Sequence, residues 1–233
     1  MPRTPTGGET PRARLMDYDT LDRLLRPGTA RGAPRAGITG ALEDIARGRR
    51  EVHAVHHPLG FLCLPLVRDG ARGVCVHLFG TGTRADPTAA PMHAHSWELR
   101  SYVLYGRVGN LPVTVTDAAH APTHRIFEVI SAPSGIDELR PTSRLVRCEP
   151  GPAASSGSGE TYSLPAGEFH ATVTRDEPAA TLVLGRSLPG HTDLSLGPLH
   201  GRGHRTVRRL CGAEHTERTV RTALRRIHAE QRD

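Results

Sequence analysis

A chain of 233 residues holds one core of ordinary size and does not readily divide into two; with 37% hydrophobic and 4% aromatic residues against 25 Gly and 19 Pro, it favours short strands over a helical bundle. The formal charge of +6 comes entirely from Arg, and the Arg residues are spread along the chain rather than clustered, which argues against a nucleic-acid partner. No apolar run has the length of a membrane span or signal core, and Cys63, Cys75, Cys148 and Cys211 form no CxxC pair, so a cytoplasmic protein with reduced thiols is expected.

Residues 1–13 have almost nothing to bury and are expected to be a disordered arm. Residues 14–51 read as a helical cap. Leu15, Tyr18, Leu21, Leu24 and Leu25 recur at helical spacing until Pro27-Gly28, and a second helix is predicted over 39–49. From Val52 the period changes, and residues 52–200 read as a barrel of short strands. A hairpin pairs 61–67 with 73–79 around Asp69-Gly70, and further strands are predicted at 99–108, 111–116, 124–130, 144–148, 161–164, 170–175 and 181–186. The low-complexity stretch 149–159 reads as a mobile loop. His53, His56 and His57 read as surface or loop residues. Residues 201–233 form a basic segment that closes on an amphipathic helix between Glu214 and Gln231, with Val220, Leu224 and Ile227 as its stripe. It resembles a DNA-recognition helix only superficially, because no well-formed helix and turn precede it.

The chemistry concentrates in two segments. In PMHAHSWELRSYVLYG, residues 91–106, His93 and His95 lie two apart, so on a strand both imidazoles reach the same face. With 14 His in the chain, about one HxH is expected by chance. GETYSLPAGEFH, residues 159–170, is more telling: the spacing of Gly159, Pro165, Gly167 and His170 arises by chance on the order of 0.01 times per chain. Pro and Gly there make a tight turn, and His170 opens the next strand. Imidazoles suit iron, nickel, copper and zinc.

Together the two segments resemble the paired motifs of the cupin superfamily. The resemblance covers roughly residues 61–188 and implies an all-β fold, a double-stranded β-helix or jelly-roll barrel, with the N-terminal helical cap and C-terminal helix added. It implies one divalent metal held by His93, His95 and His170. Where that family most often carries a Glu ligand this chain has Leu99, and the nearby acid, Glu98, is one residue early. Either a bulge turns Glu98 inward as a fourth ligand, or the site is a three-histidine centre similar to that of the thiol dioxygenases. The second reading is preferred. His77 is a candidate base or substrate anchor, or else a satisfied core histidine; Tyr162 is a candidate hydroxyl donor near the metal, or else wall packing. Trp97 and Ser101 share the parity of the ligands and are expected to line the pocket.

The resemblance implies a mononuclear metalloenzyme, with an Fe(II) dioxygenase-type oxidoreductase acting on a small polar or amino-acid-like metabolite as the first reading. Zn, Ni, Cu or Mn also suit such ligands. The alternatives are a non-redox isomerase, lyase or N–N bond-forming enzyme, and a small-molecule-sensing cupin. A homodimer is compatible with either kind.

Overall fold

The computed structural model describes residues 17–26, 32–174 and 177–231; the arm expected at 1–13, Leu15, Pro27-Gly28 and Arg175 lie outside the described residues. Two helices come first, α1 (Tyr18–Leu24) and α2 (Ala33–Ala46). Among the described residues fourteen strands follow: β1 (Val55–His57), β2 (Phe61–Asp69), β3 (Arg72–Phe79), β4 (His93–Ala94), β5 (Trp97–Tyr105), β6 (Arg107–Asp117), β7 (His124–Ser131), β8 (Ile136–Pro150), β9 (Ala154–Gly157), β10 (Thr161–Leu164), β11 (His170–Val173), β12 (Ala179–Ser187), β13 (Leu194–Gly197) and β14 (His204–Val207). A last helix, α3 (Ala213–Ala229), ends the described chain.

The strands form two antiparallel sheets. The first has the order β1-β2-β3-β12-β5-β10, and the second β14-β8-β7-β13-β4-β11-β6-β9. In the second sheet β8 pairs with both β7 and β6, so the hydrogen-bonded path through β6, β8, β7, β13, β4 and β11 returns to its start.

Alternation divides the first sheet into two faces. Leu62, Leu64, Val74, Val76, Leu78, Tyr102, Leu104, Leu182 and Leu184 join Leu21, Ile38, Leu42 and Ile45 of α1 and α2 and Val220, Leu224 and Ile227 of α3 in one buried core. The helices therefore cover one face of this sheet, and α3 is core rather than a free basic helix: Arg218 and Arg221 pair with Glu214 and Glu217. The opposite face carries Phe61, Phe79 and Ala179, which pack with Val108 of β6 in the second sheet, and Cys63 and Tyr162 lie against them.

Several boundaries differ from expectation. Helix α2 begins six residues before 39, because Pro34 falls in its first turn, where a backbone N–H has no helical partner to lose. The strand expected over 99–108 breaks at Gly106, which has φ +74°. A Cβ there would stand 2.5 Å from the Pro178 carbonyl oxygen, so only glycine permits the turn from β5 into β6. The supposed loop 149–159 contains β9, which pairs with Arg107–Asn110 through its backbone. The strand predicted at 144–148 is the end of the much longer β8, and β14, past residue 200, belongs to the second sheet.

Candidate metal centre

The sheet register brings the two sequence motifs together. His170 of β11 is paired directly with His93 of β4, and the Gly167 N–H donates to the His95 carbonyl at 2.8 Å. Gly167 has φ +79°, and a Cβ there would meet the His191 ring at 2.8 Å, so the Pro165–Gly167 turn accepts no larger residue. His95 follows the end of β4. Its loop is held by Asp193, whose Oδ1 accepts the Ser96 N–H at 2.6 Å.

The three imidazoles converge. Ring centroids lie 4.7 Å apart for His93 and His95, 4.5 Å for His93 and His170, and 5.1 Å for His95 and His170, with one ligand atom from each within 4.8 Å of the others. His93 Nδ1 lies 2.9 Å from the Pro91 carbonyl oxygen and His170 Nδ1 lies 3.4 Å from that of Glu168. A carbonyl can only accept, so in both rings Nδ1 carries the proton and Nε2 is left with a bare lone pair. His170 Nε2 is buried and has no hydrogen-bond partner. Such an orphan costs free energy unless something else satisfies it.

A divalent cation fits this donor set. Two nitrogens ~2.1 Å from one metal, at angles between octahedral and tetrahedral, stand about 3.0–3.4 Å apart. The His93 and His95 Nε2 atoms are 3.2 Å apart. Burial lowers the pKa of all three rings, and for His95 and His170 crowding by neighbouring imidazoles adds to this, placing His95 well below the ordinary histidine value and His170 at about 4. They are therefore neutral at pH 7, the form that binds metal.

Glu98 stands outside the cluster. It faces Arg186 across β5 and β12, and its carboxylate accepts from Arg186 Nη2 at 3.0 Å. No bulge re-aims it, since the register shift between these strands falls at Ala180/Thr181. His77 and Tyr162 are also outside it. The His77 ring lies 3.3 Å from the Cys75 sulfur, and Tyr162 is packed with Phe61 and Phe79, its pKa raised by burial. Trp97, expected in the pocket, instead packs against Gly185 and under the Arg68 guanidinium, and Ser101 is buried opposite Tyr162.

Beside His93 and His95 is a cavity of about 140 Å³, whose wall includes His57, Asp137, Asp193 and Arg208. His57 corrects the reading of the 53–57 histidines as surface or loop. It ends β1 with its ring stacked on Phe61 at 4.2 Å, and burial holds its pKa well below the ordinary value. Asp137 and Arg208 form an ion pair at 3.1 Å in the same wall.

No protein-family model matches the chain, and no curated protein matches it. Among solved structures it is similar to the DMSP lyase DddQ from Ruegeria pomeroyi, at 18% identity over 88% of this chain and 80% of that one, with a TM-score of 0.35. It is also similar to the hydroxypropylphosphonic acid epoxidase from S. wedmorenis, at 14% identity over 73% and 89% with a TM-score of 0.33, and to the Cnp3 cupin domain of Schizosaccharomyces pombe, at 9% over 55% and 61% with a TM-score of 0.30. Likeness of this degree carries no argument. Among the described residues no helix is long and apolar enough to cross a membrane. Two antiparallel sheets, a second motif folded back so that His170 pairs with His93, and three imidazoles converging on one point are the arrangement that the cupin-like spacing of the two motifs implies.

Proposed function

We propose that this protein is a mononuclear metallo-cupin enzyme, and specifically an Fe(II) dioxygenase-type oxidoreductase acting on a small polar or amino-acid-like metabolite. The observation that carries the reading is the buried, partnerless Nε2 of His170 facing two further neutral imidazoles beside a cavity. Bound Fe(II) would supply open coordination positions at which substrate and dioxygen are held together. His93, His95 and His170 would hold the ion, with the Pro91 and Glu168 carbonyls fixing two of the ring orientations. Asp193 keeps the His95 loop in place through Ser96. A cavity near 140 Å³ is similar in size to one of ~150 Å³ that holds benzene, which favours a substrate of few heavy atoms.

One observation favours a second reading, a non-redox lyase or isomerase. His57 is neutral, lines the same cavity and is not one of the three ligands, so it is placed to take a proton from a substrate polarised by the metal.

Anaerobic Fe(II) titration followed by oxygen-uptake measurements with small amino acids, thiols and hydroxy acids tests the first reading. Substrate-dependent oxygen consumption that is lost in His170→Ala is the expected result. Turnover supported equally by Zn(II) in the absence of oxygen would overturn it in favour of the second.

A further inference from the structure

A second group of metal-binding side chains lies on the hairpin of β2 and β3, apart from the three histidines. Cys63 is paired directly with His77 across the hairpin, and Cys75 precedes His77 by two residues, so all three side chains emerge on one face. Their ligand atoms lie within 4.8 Å of one another, with Cys75 Sγ and His77 Nε2 at 3.3 Å. In a tetrahedral zinc site with Zn–S near 2.3 Å and Zn–N near 2.1 Å, neighbouring ligand atoms stand about 3.6–3.8 Å apart. The hairpin therefore holds three donors near ligating positions.

We propose that Cys63, Cys75 and His77 form a second metal site, specific for a thiophilic divalent ion such as Zn(II) and distinct from the three-histidine centre.

Two observations besides spacing support it. The surroundings are apolar: Phe61, Phe79, Val108 and Ala179 pack around Cys63, and the Phe61 ring lies 4.6 Å from that of His77. Two thiolates and a neutral imidazole around a +2 ion make an uncharged complex, the form that such surroundings penalise least. One thiol is also prepared for it, while its bond to the Cys63 sulfur and burial hold Cys75 well above the ordinary thiol range until a metal displaces its proton. Cys75 shares its proton with the Cys63 sulfur, and this bond together with His77 holds Cys63 well below the ordinary thiol range. Binding would take Cys63 as thiolate and release the Cys75 proton to solvent. The donor sets differ in character: soft sulfur selects Zn(II) here, whereas three imidazoles accept a wider range of metals.

The test uses the full-length protein, reduced, stripped of metal and kept anaerobic. Titration with Co(II) as a spectroscopic probe, and with Zn(II) in competition against a chromophoric chelator, should give two equivalents bound. One should carry thiolate-to-cobalt charge-transfer absorption in the near ultraviolet. The Cys63→Ser/Cys75→Ser variant should lose that band and one equivalent, whereas His93→Ala/His170→Ala should lose the other equivalent and keep the band. Should the double serine variant fail to fold by circular dichroism, His77→Gln serves in its place, with an expected loss of at least tenfold in Zn(II) affinity and a shifted band. Absence of the band in the wild-type protein would overturn the proposal, as would its survival in the serine variant or equal alkylation rates for Cys63 and Cys75 with and without Zn(II).

Discussion

Replacing Glu98 with Gln keeps the side-chain shape and removes its charge, and this separates a three-histidine centre from one with a fourth, carboxylate ligand. The Glu98 carboxylate is bonded to Arg186 at 3.0 Å, with side-chain exposures of 39% and 50%. An ion pair that open to water contributes about 0–1 kcal/mol to stability. The expected cost of Glu98→Gln is therefore below about 1 kcal/mol in chemical denaturation. Its effect on the metal should be smaller still, because no atom of Glu98 belongs to the cluster of His93, His95 and His170. Affinity within about threefold of wild type is the outcome expected, against the 10–100-fold losses typical even of residues that merely support a ligand. The assay is competitive titration with a chelator on the purified variant, with the hairpin thiols alkylated so that one class of site is read. A loss beyond a hundredfold would mean that Glu98 reaches the metal and that the Arg186 pairing does not describe the loaded protein.

His93→Ala, His95→Ala and His170→Ala should each remove metal from the three-histidine centre while far-ultraviolet circular dichroism stays unchanged, since the core between the first sheet and the helices contains none of them. Elemental analysis after thiol alkylation checks this. Burial pushes the Tyr105 pKa from 10.0 to about 12. Between those values the unfolded chain gives up a proton that the folded chain keeps, so stability is full below pH 10 and falls by about 3 kcal/mol as the pH rises through 12. Denaturant titrations in that window should show this loss, and Tyr105→Phe should diminish it. Gly106→Ala should destabilise by about 3 kcal/mol or more, from the positive φ together with the 2.5 Å approach to Pro178, and a loss below about 1 kcal/mol in thermal unfolding would refute that account.

The features that were readable in the sequence are those in which one residue type at one spacing has one physical meaning. The Gly159–His170 spacing encodes a turn followed by an inward imidazole, and His170 does face His93. Alternation over 61–79 anticipated β2 and β3 because one face of each is covered by helices and the contrast between faces is strong. By contrast, β4 has two residues and β9 is Ala154–Gly157, too short or too small in side chain for any period, and both are defined by backbone pairing alone. His57 illustrates a different limit. Alternation correctly sends His56 and His57 to opposite sides, and His56 meets the His215 ring at 6.3 Å. That one of those sides is the cavity depends on where β1 pairs, and besides β2 it is bridged to Leu210, far along the chain. The cluster of Cys63, Cys75 and His77 was missed for the same reason: the three residues become neighbours only once the hairpin register is known.

The pairing of β4 with β11, which gathers the histidines, and of β5 with β12, which sets Glu98 against Arg186, also fixes the charge of the principal centre, and with it the kind of substrate it should prefer. Three neutral imidazoles leave a bound divalent ion with its full +2, and of the acids in the cavity wall Asp137 is paired with Arg208 while Asp193 keeps its charge near His93. Glu98 lies away from the cavity on Arg186, and Asp193, whose partner is the neutral Ser96 N–H, offsets at most one unit of that charge. None of these carboxylates is among the ligand atoms, so the field at the open coordination positions remains positive. An anionic group, such as a carboxylate or azide, gains from that field at short range in a way that a neutral amide of the same shape does not. The metal-loaded protein should therefore bind a small carboxylate at least tenfold more tightly than its amide, with the preference declining only modestly with salt because the cavity shields the contact. Isothermal titration of such a pair on Co(II)-loaded protein measures the ratio, with the cobalt d–d spectrum reporting direct coordination. Equal affinity for acid and amide would show that a protein carboxylate neutralises the ion after all, and Asp193→Asn would then be the variant expected to restore the preference.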